Sequence, residues 1–173
     1  MIILLNGPPR SGKDYAGRVF EELGATTYKF ATEVKDRTHA IFRLHVPTDH
    51  FEDVKDDPRS EFLGATPREA YIRFSEGFMK PLYGDDIFGR LLAQRIRPGV
   101  AAVTDSGFVS EAKVLVDQFD DVVLVRIHRD GYDFSGDSRS YINLEGKCID
   151  INNTGPNFRS DLREIYTSLV EPS

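Results

Sequence analysis

The segment Gly7-Pro8-Pro9-Arg10-Ser11-Gly12-Lys13-Asp14 has the spacing G-x-x-x-x-G-K. That pattern suits a loop wrapped around an anion. Glycines at its ends let the backbone turn tightly. The N–H groups of the loop and of the helix it starts then present a positive dipole to the ligand. Lys13 adds an ammonium on a flexible stem, able to reach the β- and γ-phosphates of a nucleoside triphosphate. The expected nucleotide-binding set is therefore Gly7, Pro8, Pro9, Arg10, Ser11, Gly12, Lys13, Asp14 and Tyr15, with ATP as the ligand. The plainer alternative is a glycine-bearing turn with a surface lysine. The apolar run before the loop and the helical pattern after it favour the anion cradle.

Asp14 stands where a serine or threonine usually ligates magnesium. A carboxylate is a hard oxygen ligand, so Asp14 is a candidate metal ligand, with complementing the helix dipole as its alternative. Asp105 ends the run Val100–Thr104. In an open parallel sheet, ligands bind beyond the carboxyl ends of the strands. Asp105 is accordingly a candidate for magnesium, for the acceptor and for proton transfer, or else a cap for the following helix. Phosphoryl transfer rests on positioning and charge neutralisation, so cations must converge on the transferred group. Arg10, Arg129 and Arg139 are the candidates, beside Lys13 and Asp105, for catalysis. Lys35, Asp36, Arg68 and Arg73 are candidates for binding the acceptor, again with Asp105. His39, His45, His50 and His128 have no metal-ligand spacing.

The elements that would position these groups follow from periodicity. Met1–Asn6 reads as a strand buried on both faces. Lys13–Leu23 reads as a helix closed by Gly24, Ala25–Phe30 as a strand and Thr32–Leu44 as a helix. Thr66-Pro67-Arg68-Glu69 has the form of a capping box, opening a helix that should stop near Lys80, ahead of Pro81. Asp85–Ile96 is helical, Val100–Asp105 a strand, Ser110–Phe119 a helix, and Val122–Ile127 a strand. Cys148–Ile151 is a short strand and Phe158–Val170 a final helix. Pro47–Gly64 reads as an irregular acidic insertion, and Arg129–Asn143 as a surface loop placed where a lid would close. Strands alternating with helices imply an α/β fold: a three-layer sandwich with a parallel sheet of about five strands and helices on both faces. One domain over residues 1–173 is expected, with an acceptor-binding insertion at about 45–98 and the lid-like loop at about 129–143.

Composition narrows the partners. With 173 residues, 40% apolar and 29% charged, the chain is globular in character. A formal charge of −6 argues against a long nucleic acid as the main partner, while a small anion in a basic cleft is compatible with it. The one cysteine, Cys148, precludes an intramolecular disulfide and suits a reducing cytoplasm. The apolar start is too short for a signal peptide, and no run approaches the roughly 20 residues of a membrane span. Pairing with a second copy is left open.

Several segments together resemble phage-type deoxynucleoside monophosphate kinases. They are Gly7 to Asp14, Phe30-Ala-Thr-Glu-Val-Lys-Asp36, Thr66-Pro-Arg-Glu-Ala-Tyr71 with Lys80-Pro-Leu-Tyr-Gly84, Val103-Thr-Asp-Ser106 with Glu111-Ala112, and Ile149-Asp-Ile-Asn-Asn153. The resemblance implies an adenylate-kinase-like core, ATP with Mg2+, and a deoxynucleoside monophosphate as acceptor, in the host cytoplasm if the gene is a phage's. Members of that family often have an arginine two residues after the strand-end aspartate, where this chain has Gly107. Two other readings stand beside it. One is a kinase for a hydroxyl acceptor, including one on a modified base in DNA. The other is a nucleotide-binding regulator without turnover.

Overall fold

Burial along the first strand sets the layers. In the computed structural model, which describes residues 1–170, β1 (Ile2–Asn6) is buried at every position. Successive side chains of a strand point to opposite faces. Ile3 and Leu5 accordingly enter one hydrophobic cluster, with Val19 and Phe20 of α1 (Lys13–Glu22) and Leu162 and Tyr166 of α7 (Phe158–Val170). Ile2 and Leu4 enter the other. There they meet Phe30 of α2 (Phe30–Ile41), Leu92 of α5 (Ile87–Ala93) and Leu115 of α6 (Val109–Gln118). A strand covered on both sides needs no polar face, so its continuous apolar run is the expected pattern.

The described residues form a five-stranded sheet in the order β2-β3-β1-β4-β5, parallel throughout. Its other strands are β2 (Thr26–Tyr28), β3 (Ala101–Val103), β4 (Val122–His128) and β5 (Lys147–Asn152). The α/β sandwich read from the sequence is the architecture observed. β1 pairs with β3 on one side and with β4 on the other, and the chain leaves it through α1 to β2 beyond β3. A crevice for a ligand therefore opens beyond the carboxyl end of β1.

Most element boundaries shift by one to three residues from the sequence reading, α5 being shorter at both ends, and three differences are informative. β2 is shorter and α2 begins at Phe30 rather than Thr32, because a carboxylate from elsewhere caps it. α2 ends at Ile41 in a turn in which Leu44 N–H donates to the His39 carbonyl (2.9 Å) and Arg43 N–H to that of Ala40 (3.1 Å). Arg43 adopts the left-handed conformation there (φ 55°), a place glycine usually fills. The third difference is the helix opened by Thr66, whose capping box forms as expected. α3 (Pro67–Phe74) does not stop before Pro81. It widens into a π-helical turn, Ser75–Met79, and continues as α4 (Lys80–Tyr83). Pro81 has no N–H and crowds the carbonyl one turn earlier. A widened turn relieves both problems without ending the helix.

The segment 47–64 is irregular, as expected, but it is not merely a solvated loop. Phe51 and Phe62 are 3% and 1% exposed and form a small core with Ala70 of α3. Their rings meet edge to face at a centroid separation of 5.0 Å. The aromatic pair anchors this acidic stretch to the helices on either side.

Candidate active site

β1 ends at Asn6, and the chain turns through Arg10 (φ 63°) and Gly12 (φ 111°) before α1 starts. Gly7 is required by space: a Cβ there would lie 2.6 Å from the Ile127 carbonyl oxygen and 2.6 Å from Ser11 Oγ. Most carbonyls of this loop are engaged. Lys13 Nζ donates to the Gly7 and Pro8 carbonyls, both at 2.7 Å. Arg129 Nη1 donates to that of Arg10 (2.7 Å), and Asn153 Nδ2 to that of Ser11 (2.8 Å). The loop is left with N–H groups to offer. α1 has no side-chain cap at its N-terminus, so the first N–H groups of the helix are unpaired as well. The Ser11 hydroxyl is buried without a hydrogen-bond partner among the described residues. Donors without acceptors, at the positive end of a helix, suit a polyphosphate.

Burial, and next the charge on Arg139, lower the Lys13 pKa to about 8. Asp14, Asp105 and Asp137 act on the same ammonium in the opposite sense. Of these groups Asp105, Asp137 and Arg139 line a cavity of about 650 Å³, together with Lys35, Arg68 and Glu111 among others, so Lys13 stands within electrostatic reach of that cavity's wall. That volume is within the roughly 300–1,000 Å³ of small-molecule sites.

Asp105 follows β3 at the carboxyl edge of the sheet, as expected. Its two oxygens accept the N–H groups of Phe30 (2.8 Å) and Ala31 (2.9 Å). It thus caps α2, not the helix that follows it in sequence. Burial raises its pKa despite these bonds. Arg139 is half-buried and donates from Nε to Asp137 Oδ1 (2.8 Å). Its aliphatic stem lies over Gly107, where a Cβ would come within 2.7 Å of Arg139 Cγ. The space taken by an arginine stem is thus available only because residue 107 lacks a side chain.

The remaining candidates divide. Lys35 and Arg68 line the cavity, each already paired: Lys35 with Glu52, and Arg68 Nε with Asp56 Oδ1 (2.5 Å). Asp36 does not reach it and pairs with Arg95 (2.7 Å). Arg73 lines a different groove, beside Phe74 and Phe78. Arg129 sits outside the phosphate loop, its guanidinium 4.5 Å from the centre of the Tyr132 ring. Arg10 is exposed on the loop itself. Tyr15 stacks on Phe158 with ring centroids 5.9 Å apart, so it packs the back of the loop against α7.

Asn6 was missed by sequence reasoning. It is fully buried and donates to the carbonyls of Ser106 (2.7 Å) and Ser140 (3.0 Å), while its own oxygen accepts Ile142 N–H (3.1 Å). The loop 129–143 is therefore pinned to the central strand at its return end, and Ile142 within it is 1% exposed. The run of apolar residues before Asn6 was the available signal: a carboxamide closing a buried strand must find partners.

Among the described residues no cluster of three or more His, Cys, Asp or Glu is arranged to hold a metal ion. Magnesium bound mainly through nucleotide phosphates needs only one or two carboxylates. The Asp14 side chain, 73% exposed beside the loop and paired with Lys29 at 2.7 Å, fits that demand together with Asp105. Among the described residues no helix is long and apolar enough to cross a membrane.

Comparisons with known proteins bear on the fold. No protein-family model matches the sequence, and no match is found among curated proteins. Solved structures do match along the whole chain. The Thermus thermophilus protein TT1252 aligns with a TM-score of 0.53 at 13% identity, over 100% of this chain and 98% of its own. A candidate kinase from Chloroflexus aurantiacus aligns with a TM-score of 0.51 at 13% identity, over 99% of this chain and 97% of its own. With the parallel sheet, the glycine-lysine loop after β1 and the uncapped α1, the fold is that of the P-loop kinases.

Proposed function

We propose that the protein transfers the γ-phosphoryl group of ATP to a small acceptor held in the cavity beside the phosphate loop. The observation that carries this reading is the uncapped start of α1, with the Lys13 ammonium at its first residue and Arg139 beside it. Backbone N–H groups and Lys13 hold the polyphosphate. An acceptor oxygen attacks the γ-phosphorus in line, the bond to the β-phosphate oxygen breaks, and ADP departs. Arg139 offsets charge on the transferred group and Arg129 braces the loop through the Arg10 carbonyl. Magnesium, with Asp14 and Asp105 as its protein carboxylates, would supply further neutralisation of the phosphates.

The acceptor we favour is a (deoxy)nucleoside monophosphate. Phe30, Tyr71, Phe88 and Phe108 offer aromatic walls, and Lys35, Lys55 and Arg68 offer cations for a phosphate. An ionised phosphate needs no base to attack. A second reading, a hydroxyl acceptor such as one on a modified base in DNA, is favoured by a specific observation. Glu52 pairs with both Lys35 and Lys55, and Asp56 with Arg68, so much of the positive charge of this wall is already offset by the chain itself. A hydroxyl would need a base, and burial makes the Asp105 carboxyl more basic than usual.

The test is ADP release with ATP and Mg2+, comparing the four deoxynucleoside monophosphates with an oligonucleotide bearing hydroxymethyluracil. Turnover with a monophosphate and none with the oligonucleotide supports the first reading, and the reverse supports the second. Lys13→Ala should lower kcat/KM by about 100-fold or more with circular dichroism unchanged. Activity within a few-fold of wild type would remove Lys13, and with it the donor site, from the loop.

A further inference from the structure

The cavity contains one ionisable group that nothing in the fold uses. Glu111 lies in the first turn of α6, is 5% exposed, and lines the cavity. Among the described residues its carboxyl makes no hydrogen bond and no ion pair. Lys80 is the cation acting on it, but the Lys80 ammonium pairs with Glu76 at 2.7 Å and lies 4.5 Å from the centre of the Phe108 ring. The carboxyl oxygens are not among the fully enclosed unpartnered atoms, so they open onto the cavity; a carboxyl held there at low exposure without a partner is a cost the fold carries for some other reason. A structural reason is absent from its surroundings: neither a helix N–H nor a facing guanidinium receives it.

The backbone that carries it is tightly packed. At Gly89 a Cβ would lie 2.6 Å from the Glu111 carbonyl oxygen, so α5 presses directly on the backbone that carries this side chain. A group on the start of a helix clamped by another helix is held in a fixed place, as a recognition group must be. The nearby lining includes the rings of Phe30, Phe88 and Phe108, flat apolar surfaces suited to a heterocycle. A polar group set among such surfaces fixes the orientation of a ligand and sets specificity.

We propose that Glu111 is an acceptor-binding residue whose carboxyl hydrogen-bonds the polar edge of a nucleobase held among Phe30, Phe88 and Phe108. This rests on reading the cavity as the acceptor site. The base is common to both sources of acceptor considered, a free mononucleotide and a nucleotide within DNA. Burial, and next the charge on Asp105, push the Glu111 pKa up to about 8. Near neutral pH the group therefore presents one donor and one acceptor. That pair matches base edges that offer an acceptor beside a donor: the N1 and amino group of adenine, N3 and amino group of cytosine, or a carbonyl and N3–H of thymine or uracil. Guanine offers the same kind of pair at O6 and N1–H, while its N1–H and amino group, two adjacent donors, suit the ionised carboxylate instead.

The experiment compares wild type with Glu111→Leu and Glu111→Gln, using the four deoxynucleoside monophosphates and the hydroxymethyluracil oligonucleotide as acceptors. Glu111→Leu should raise the acceptor KM at least tenfold while leaving the Kd of an ATP analogue unchanged. Glu111→Gln, which keeps one donor and one acceptor, should stay within about threefold of wild type. Leucine in place of an unpaired buried carboxyl should also leave the Tm equal or higher, whereas a group with a structural role would lower it. Which acceptor shows the KM effect tells the two sources apart. An unchanged acceptor KM in Glu111→Leu, or a KM effect accompanied by an equal loss of ATP-analogue binding, overturns the assignment of Glu111 alone. If wild type turns over none of these acceptors, the reading of the cavity itself fails and the proposal falls with it.

Discussion

At the scale of single residues, what the structure adds is burial. Lys13 and its loop were legible because the motif is local and its geometry is dictated by neighbouring residues. Glu111 was not legible. An acidic residue in the first turn of a helix normally faces water and complements the dipole. Here α5 and the cavity wall remove it from solvent, and that depends on Gly89, 22 positions earlier. A consequence can be measured. The ordinary carboxyl value of 4.5 applies to the unfolded chain, while the folded protein holds this proton up to about pH 8. Between those values the folded state binds more protons than the unfolded one, so this group's contribution to stability falls as pH rises through that window. Glu111→Gln does not titrate. Its Tm relative to wild type should therefore increase between pH 5 and pH 8, followed by calorimetry at matched ionic strength. A constant difference would show that the carboxyl is already ionised in the fold.

At the scale of elements, the misread boundaries have different causes, one distant in sequence and one local. α2 begins two residues early because Asp105 accepts both of its first N–H groups, 75 and 74 positions distant. The helix through Pro81 continues because a π-helical turn absorbs the proline, an adjustment that local propensity opposes. Asp36 and Arg73 were grouped with Lys35 and Arg68 because all four lie on helices between β2 and β3, yet helical periodicity turns residues of one helix to different sides. Gly107 and Arg139 form the clearest pairing between segments. The stem of the arginine occupies what would be the side-chain position of residue 107. Gly107→Ala should push Arg139 away and lower kcat by about tenfold, the size of one weakened charge-stabilising contact. ATP-analogue affinity should be nearly unaffected, and a kcat equal to wild type in rapid-quench measurements would separate Arg139 from the chemical step.

At the scale of the whole molecule, the architecture was the most legible feature. Continuous apolar runs in β1 and β4 demand cover on both faces, and the intervening helical periods provide it. The acidic segment was less legible, since its charges masked two phenylalanines that bury themselves against α3. That small core is separate from the two clusters on the sheet. Phe62→Ala should cost about 3 kcal/mol, typical of a buried ring replaced by a methyl group. Denaturant titration measures the loss. If the segment melts by itself, the transition will broaden or split while the sheet keeps its midpoint, and a cost below about 1 kcal/mol would mean that the ring is not packed as described.

Asn6 has an implication for the ageing of the protein. It precedes Gly7, and asparagine followed by glycine is the dipeptide in which the side-chain carbonyl is most easily attacked by the next backbone nitrogen, releasing ammonia and leaving aspartate or isoaspartate. In the native state the three hydrogen bonds that tie the carboxamide to Ser106, Ser140 and Ile142 restrain it from that reaction. Time spent unfolded lifts the restraint. A chain damaged there would return with a carboxylate facing two carbonyl oxygens that had each received an N–H, so the same side chain that fastens the loop also ties refolding to chemical integrity.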